Sequence, residues 1–194
     1  MAEKSLKEAH KVAASIHAAD FFIALFKDIG KSLEGSKTHM LLCLAQGWSL
    51  VRYDRPLFTG NIAAENQGPV VTDIEAEIPA TRERISGTDR DYDPDVFTPE
   101  EIGLILDVAW EYGGCSAEEL SDTIRRLGTP WWEARRESGA ANVIPQESLK
   151  DYFGMLEPLT DYTKEAVAGI PAITERNSKG IILLPADWDD DEWR

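Results

Sequence analysis

Asp89, Asp91, Asp93, Val96 and Glu100 stand at the first, third, fifth, eighth and twelfth places of a possible calcium loop, with carboxylates where a hard cation takes ligands. Pro94 falls on the sixth place, where the loop's sharp turn requires glycine, and Pro99 stiffens the backbone next to Glu100. These residues therefore read as a solvated acidic loop. His10 and His17 would lie about two helical turns apart, too far for a one-turn ligand pair, and His39 stands alone, so all three read as structural histidines at the surface or half buried. No serine sits in a GxSxG or SxxK setting, and no glycine-rich phosphate loop is present. Glu118 and Glu119 suit helix capping and dipole compensation better than acid-base chemistry. The expectation is a protein without catalytic residues, metal or cofactor. Trp131, Trp132 and Arg135 offer another chemistry, an aromatic and cationic patch for a partner, because residues one helical turn apart share a face. Adjacent tryptophans point different ways, so one of the pair is expected in the core with the other covering it.

The elements that must position these residues are mainly helical. Leu6, Ala9, Val12, Ile16, Ala19, Ile23 and Phe26 recur at steps of three and four, predicting a helix over 6–29 ended by Gly30. A second helix is predicted over 37–53, stopped by Asp54-Arg55-Pro56. Between Leu57 and Ile78 the helical period fades and Gly60, Gly68 and Pro69 punctuate, which predicts a small hairpin or extended platform. The charged segment 80–96 reads as a surface loop. Thr98-Pro99-Glu100-Glu101 and Ser116-Ala117-Glu118-Glu119 are capping boxes that open two helices, the second predicted to continue through Leu127 to Gly128. Thr129-Pro130 starts another, and a last one follows Pro145. The fold class is thus a mainly α, single compact helical domain over 1–154, with a C-terminal extension over 155–194. Gly180 to Pro185 reads as a short buried strand or docking segment. The acidic stretch after it is framed by Trp188 and Trp193; with Asp189, Asp190 and Asp191, these tryptophans form a candidate docking peptide for a basic groove.

The chain has 194 residues and a formal net charge of -15, which argues against direct contact with nucleic acid or an anionic membrane and favours a partner with a basic face. No apolar run is long enough to span a bilayer, and the charged N-terminus lacks an apolar signal core, so a cytoplasmic location is expected. The two cysteines, Cys43 and Cys115, read as buried free thiols.

Four pieces in order, namely Cys43-Leu44-Ala45-Gln46-Gly47-Trp48, Arg55-Pro56-Leu57-Phe58, the segment from Ile62 ending Gly68-Pro69-Val70, and Ser116 to Ser121 with Pro130 to Arg135, give the chain a family likeness. It resembles the Panacea domain, the antitoxin SocA-like domain of prophage and toxin-antitoxin proteins, over about Leu6 to Phe153. Members often carry aromatics at the places of Cys43 and Leu44, and a histidine at that of Ile124. The resemblance implies a helical antitoxin that binds a co-encoded toxin protein. Some relatives resemble proteolytic adaptors that present the toxin to the unfoldase ClpX of the ClpXP protease, and others neutralise by binding alone. Within the motif, Gln46, Gly47, Trp48, Arg55, Pro56, Gly68, Pro69, Ser116, Leu120, Ser121 and Pro130 read as structural. The alternative function is an acidic phage-type decoy that occupies the nucleic-acid site of a host factor.

Overall fold

The computed structural model describes residues 13–82, 93–136 and 142–162. Its elements are β1 (Ala13–Ala14), α1 (Ser15–Asp28), α2 (Gly35–Tyr53), β2 (Phe58–Thr59), β3 (Ile62–Glu65), β4 (Gly68–Val71), α3 (Pro99–Tyr112), α4 (Ala117–Ile124), α5 (Pro130–Arg136) and α6 (Gln146–Gly154). The fold is mainly α with a small hairpin after the second helix, as its sequence pattern predicts.

Every residue from Thr38 to Leu50 is buried, so α2 has no solvent face along most of its length. Helices α1, α3, α4 and α6 and strand β4 pack around it. Its backbone is satisfied within the helix, but four polar side chains, Thr38, His39, Gln46 and Ser49, are carried into the core and need partners there. Gln46 solves this by imitating a strand. Its Oε1 accepts the N–H groups of Leu57 and Phe58 at 2.9 and 3.2 Å, and its Nε2 donates to the Phe58 carbonyl at 3.2 Å. Ser49 Oγ donates to the Arg55 carbonyl at 2.9 Å. The segment 55–58 is thereby fixed against the helix that precedes it, and Asp54 makes the reversal in a left-handed conformation with φ 55°.

Strand β2 pairs in parallel with β1, while β3 and β4 form an antiparallel hairpin in which Ile62 faces Val71 and Glu65 faces Gly68. The outer edge of β3 is covered by residues 142–144, through Ile144 N–H to Ile62 (2.8 Å) and Ala64 N–H to the Asn142 carbonyl (2.7 Å). Two ion pairs tie α2 and its exit to α3. Arg52 reaches the fully buried Asp107 at 2.7 Å, and Arg55 Nη2 lies 3.1 Å from Oε1 of the equally buried Glu101. Glu101 is also the capping-box residue of α3, its other oxygen accepting the Thr98 N–H at 2.8 Å. Both capping boxes form as expected.

Two expectations are corrected. Of the helix expected over 6–29, residues 6–12 lie outside the described residues, and α1 begins at Ser15, because Ala13–Ala14 is extended and lies alongside Phe58–Thr59. The helix after Ser116 ends at Ile124 and does not reach Gly128; the chain turns through Gly128, at φ 84°, to start α5, and Leu127 is left 77% exposed and off the apolar face. His39 differs in degree: it is structural but fully buried.

Replacing Gln46 with Ala strands two buried N–H groups, and a loss of roughly 2–4 kcal/mol is expected in urea unfolding. A loss under about 1 kcal/mol would contradict the role given to this side chain.

Candidate protein-binding face

Carbonyls at the tip of the β3–β4 hairpin accept hydrogen bonds from side chains on α4 and α5. Thr129 Oγ1 accepts the Trp132 N–H at 3.3 Å and starts α5, which carries Trp131 inward to 8% exposure. Trp131 Nε1 donates to the Glu65 carbonyl at 3.0 Å. One turn later Arg135 donates to the Ala64 carbonyl at 3.3 Å and to Asn66 Oδ1 at 2.7 Å. Ser121 Oγ on α4 donates to the Gln67 carbonyl at 3.1 Å. The guanidiniums of Arg125 and Arg135 lie 5.2 and 5.9 Å from the Trp131 ring, and that of Arg136 lies 4.5 Å from the Trp132 ring.

The tryptophan pair therefore divides its work: Trp131 is bonded inside, and Trp132 is half-buried under Arg136. Trp132 and Arg135 are the members of the predicted patch that present surface. Trp188, Asp189, Asp190, Asp191, Trp193 and the segment Gly180 to Pro185 lie outside the described residues, as do His10, Asp89 and Asp91 of the calcium-like run. Among the described residues no group of three or more His, Cys, Asp or Glu side chains is placed to hold a metal ion. Burial pushes the Cys43 thiol up to about 12, so it stays un-ionised.

The remaining motif residues are joints. A Cβ on Gly47 would stand 2.5 Å from the Phe153 ring, so this glycine lets α6 approach α2. Trp48 meets the same ring edge-on at 5.2 Å and donates Nε1 to the Tyr112 hydroxyl at 3.3 Å. Gly68 takes φ 139° at the hairpin tip, and Pro69 follows it in β4. Pro56 sits between Arg55 and the strand that Gln46 holds. Ser116 caps α4, and Leu120 and Pro130 are buried.

Beside the hairpin runs a groove of about 440 Å³, floored by Ala63 and Val70 and rimmed by Glu65, Asn66, Gln67 and Glu75. His39 lies behind it. Its Nδ1 accepts the Val71 N–H at 3.0 Å and its Nε2 donates to the Ile78 carbonyl at 2.7 Å, with the Glu75 carboxylate 3.2 Å away. Burial holds the imidazole below its ordinary value, opposed by the Ile78 carbonyl and Glu75. Neither Glu75 nor Arg125 stands in a motif, so no local signal marks them; Arg125 was findable only as one of four arginines between 125 and 136 in a chain of net charge -15.

Residues 41–132 match the antitoxin SocA-like, Panacea domain family. That span is similar to a Panacea domain. The matched span runs from α2 to Trp132 and so includes the hairpin, both capping boxes and the tryptophan pair. No curated protein and no solved structure matches the chain. The family match supports an antitoxin-type role in general terms, with a toxin as the general kind of partner. Among the described residues, no helix is long and apolar enough to cross a membrane.

The geometry around this face makes two outcomes measurable. Trp131→Ala should lower stability by about 3–5 kcal/mol and Trp132→Ala by roughly 1 kcal/mol; equal losses in denaturant unfolding would contradict the division of roles. Because the folded value of His39 lies below its unfolded value of about 6.5, its contribution is complete above that pH and is lost as pH falls through it. Lowering the pH from about 7.5 to about 5.5 should destabilise the native chain more than His39→Gln, and parallel profiles would count against a neutral buried imidazole.

Proposed function

We propose that this protein is an antitoxin that neutralises a co-encoded toxin protein by direct binding. The match over 41–132 carries this reading. The geometry supports it in one respect: the motif side chains are engaged internally, leaving the hairpin groove, Trp132 and Arg135 as surface for a macromolecule. Glu65 and Glu75 on the groove rim suit a basic partner, and the net charge of -15 speeds encounter with one. In the fuller version the chain also presents the toxin to the unfoldase ClpX. The same charge is what favours the second reading, a decoy for a nucleic-acid-binding factor.

Co-expression with the product of the neighbouring gene tests the first reading. The expected outcome is restored growth and a complex that survives purification; a toxic neighbour that is neither bound nor silenced contradicts it. Toxin half-life then separates the versions, since an adaptor shortens it in a ClpX-dependent manner and simple neutralisation leaves the toxin long-lived in the complex. DNA competition with a steep salt dependence would favour the decoy.

A further inference from the structure

On the other side of Trp131 from the hairpin, α2, α4, α5 and α6 enclose an apolar cleft of about 70 Å³ lined by Leu44, Ile124, Trp131, Ile144, Phe153 and Leu156. One water needs roughly 10–15 Å³ of such space, so the cleft accommodates one or two aliphatic side chains. Its rim is unusual for this molecule. Among the described residues the exposed large apolar side chains are Val51, Leu127, Val143, Met155 and Leu156; Leu156 lines the cleft, and Val143 and Met155 adjoin residues that do. Exposed apolar side chains gathered beside one apolar cleft mark an interaction site.

Charge and chain path indicate the occupant. Residues 125–136 hold four arginines (125, 126, 135, 136) against one glutamate (133), a net charge of +3 in a chain of -15. Arg125 and Arg126 have no carboxylate partner among the described residues. Later in the sequence, Ile181-Ile182-Leu183-Leu184 is followed by five carboxylates over 187–192, the complementary order of apolar and acidic groups. The described chain reaches Tyr162, whose ring packs 5.5 Å from Trp110 and whose hydroxyl donates to Glu111, and the next residue, Tyr112, lines the cleft. The 18 residues from 163 to 180 span up to about 60 Å, ample for a domain with a radius of gyration of roughly 15 Å. Such a tether gives an effective concentration on the order of millimolar, so even a weak contact is populated.

We propose that residues 181–193 dock on their own chain, with one or two side chains of Ile181 to Leu184 in the apolar cleft and the acidic run against Arg125 and Arg126. This makes the arginine pair that follows α4 the basic patch that the tail fits and leaves the hairpin groove to a partner.

Hydrogen exchange on the full chain tests this. Changing Ile182→Asp with Leu184→Asp alters only the tail and should speed amide exchange in 117–124 and 146–154 by roughly ten-fold; Arg125→Glu with Arg126→Glu should do the same in α4, and moderate salt should reproduce part of it. Unchanged exchange in both variants overturns the proposal. A mass of two chains that reverts to one in the tail variant overturns it too, assigning the cleft to a second copy.

Discussion

A helix buried on every side imposes the condition from which the rest of this fold follows: each polar side chain it carries inward must meet a partner inside. Of the four in α2, Thr38 bonds back to the Glu34 carbonyl, and His39, Gln46 and Ser49 each hold a different segment of the chain. His39 fixes β4 and the turn at Ile78, Gln46 fixes 57–58, and Ser49 fixes the exit at Arg55. An unsatisfied buried N–H costs about 1–3 kcal/mol, comparable to a sizeable part of a domain's whole stability, so these bonds select one path for the chain around the helix. The hairpin, which has too few strands to be stable alone, stands because α2 supports one side of it and α4 and α5 collect the carbonyls at its tip.

This explains why the residues that carry the likeness to the Panacea domain are poor guides to a binding surface. Gln46, Gly47, Trp48 and Arg55 are engaged with the protein's own backbone and side chains, and the exposed chemistry begins where that network ends. Trp131 and Trp132 show the transition within two neighbouring residues, one bonded to the Glu65 carbonyl and buried, the next half-buried beneath an arginine. A protein that binds another protein needs such a rigid body more than it needs reactive groups, and the high value of the Cys43 thiol fits that economy.

Local chemistry was legible in the sequence, and distant pairing was not. Thr98 with Glu101 and Ser116 with Glu119 announce helix starts because capping is settled within four residues, and both boxes form. Gly68-Pro69 announces a turn for the same reason. By contrast Thr38, His39, Gln46 and Ser49 look like the solvent face of an amphipathic helix, since nothing local says that another segment will return to meet them. Ala13 and Ala14 continue a helical period but are extended beside Phe58–Thr59, a partner more than 40 residues away in the chain. Leu127 keeps the spacing of α4 yet falls beyond its end, where Gly128 redirects the chain to place Trp131 under the hairpin. Glu75 and Arg125, at the edges of the groove and the cleft, belong to no motif and acquire meaning only from the surfaces around them.

Native-state hydrogen exchange as a function of denaturant examines the central claim most directly. If α2 is the element on which the others hang, its amides from Met40 to Leu50 exchange only through global unfolding, with the full denaturant dependence, while the hairpin and α4 open at lower free energy. Exchange of those α2 amides through a partial opening that leaves the hairpin protected would contradict the account.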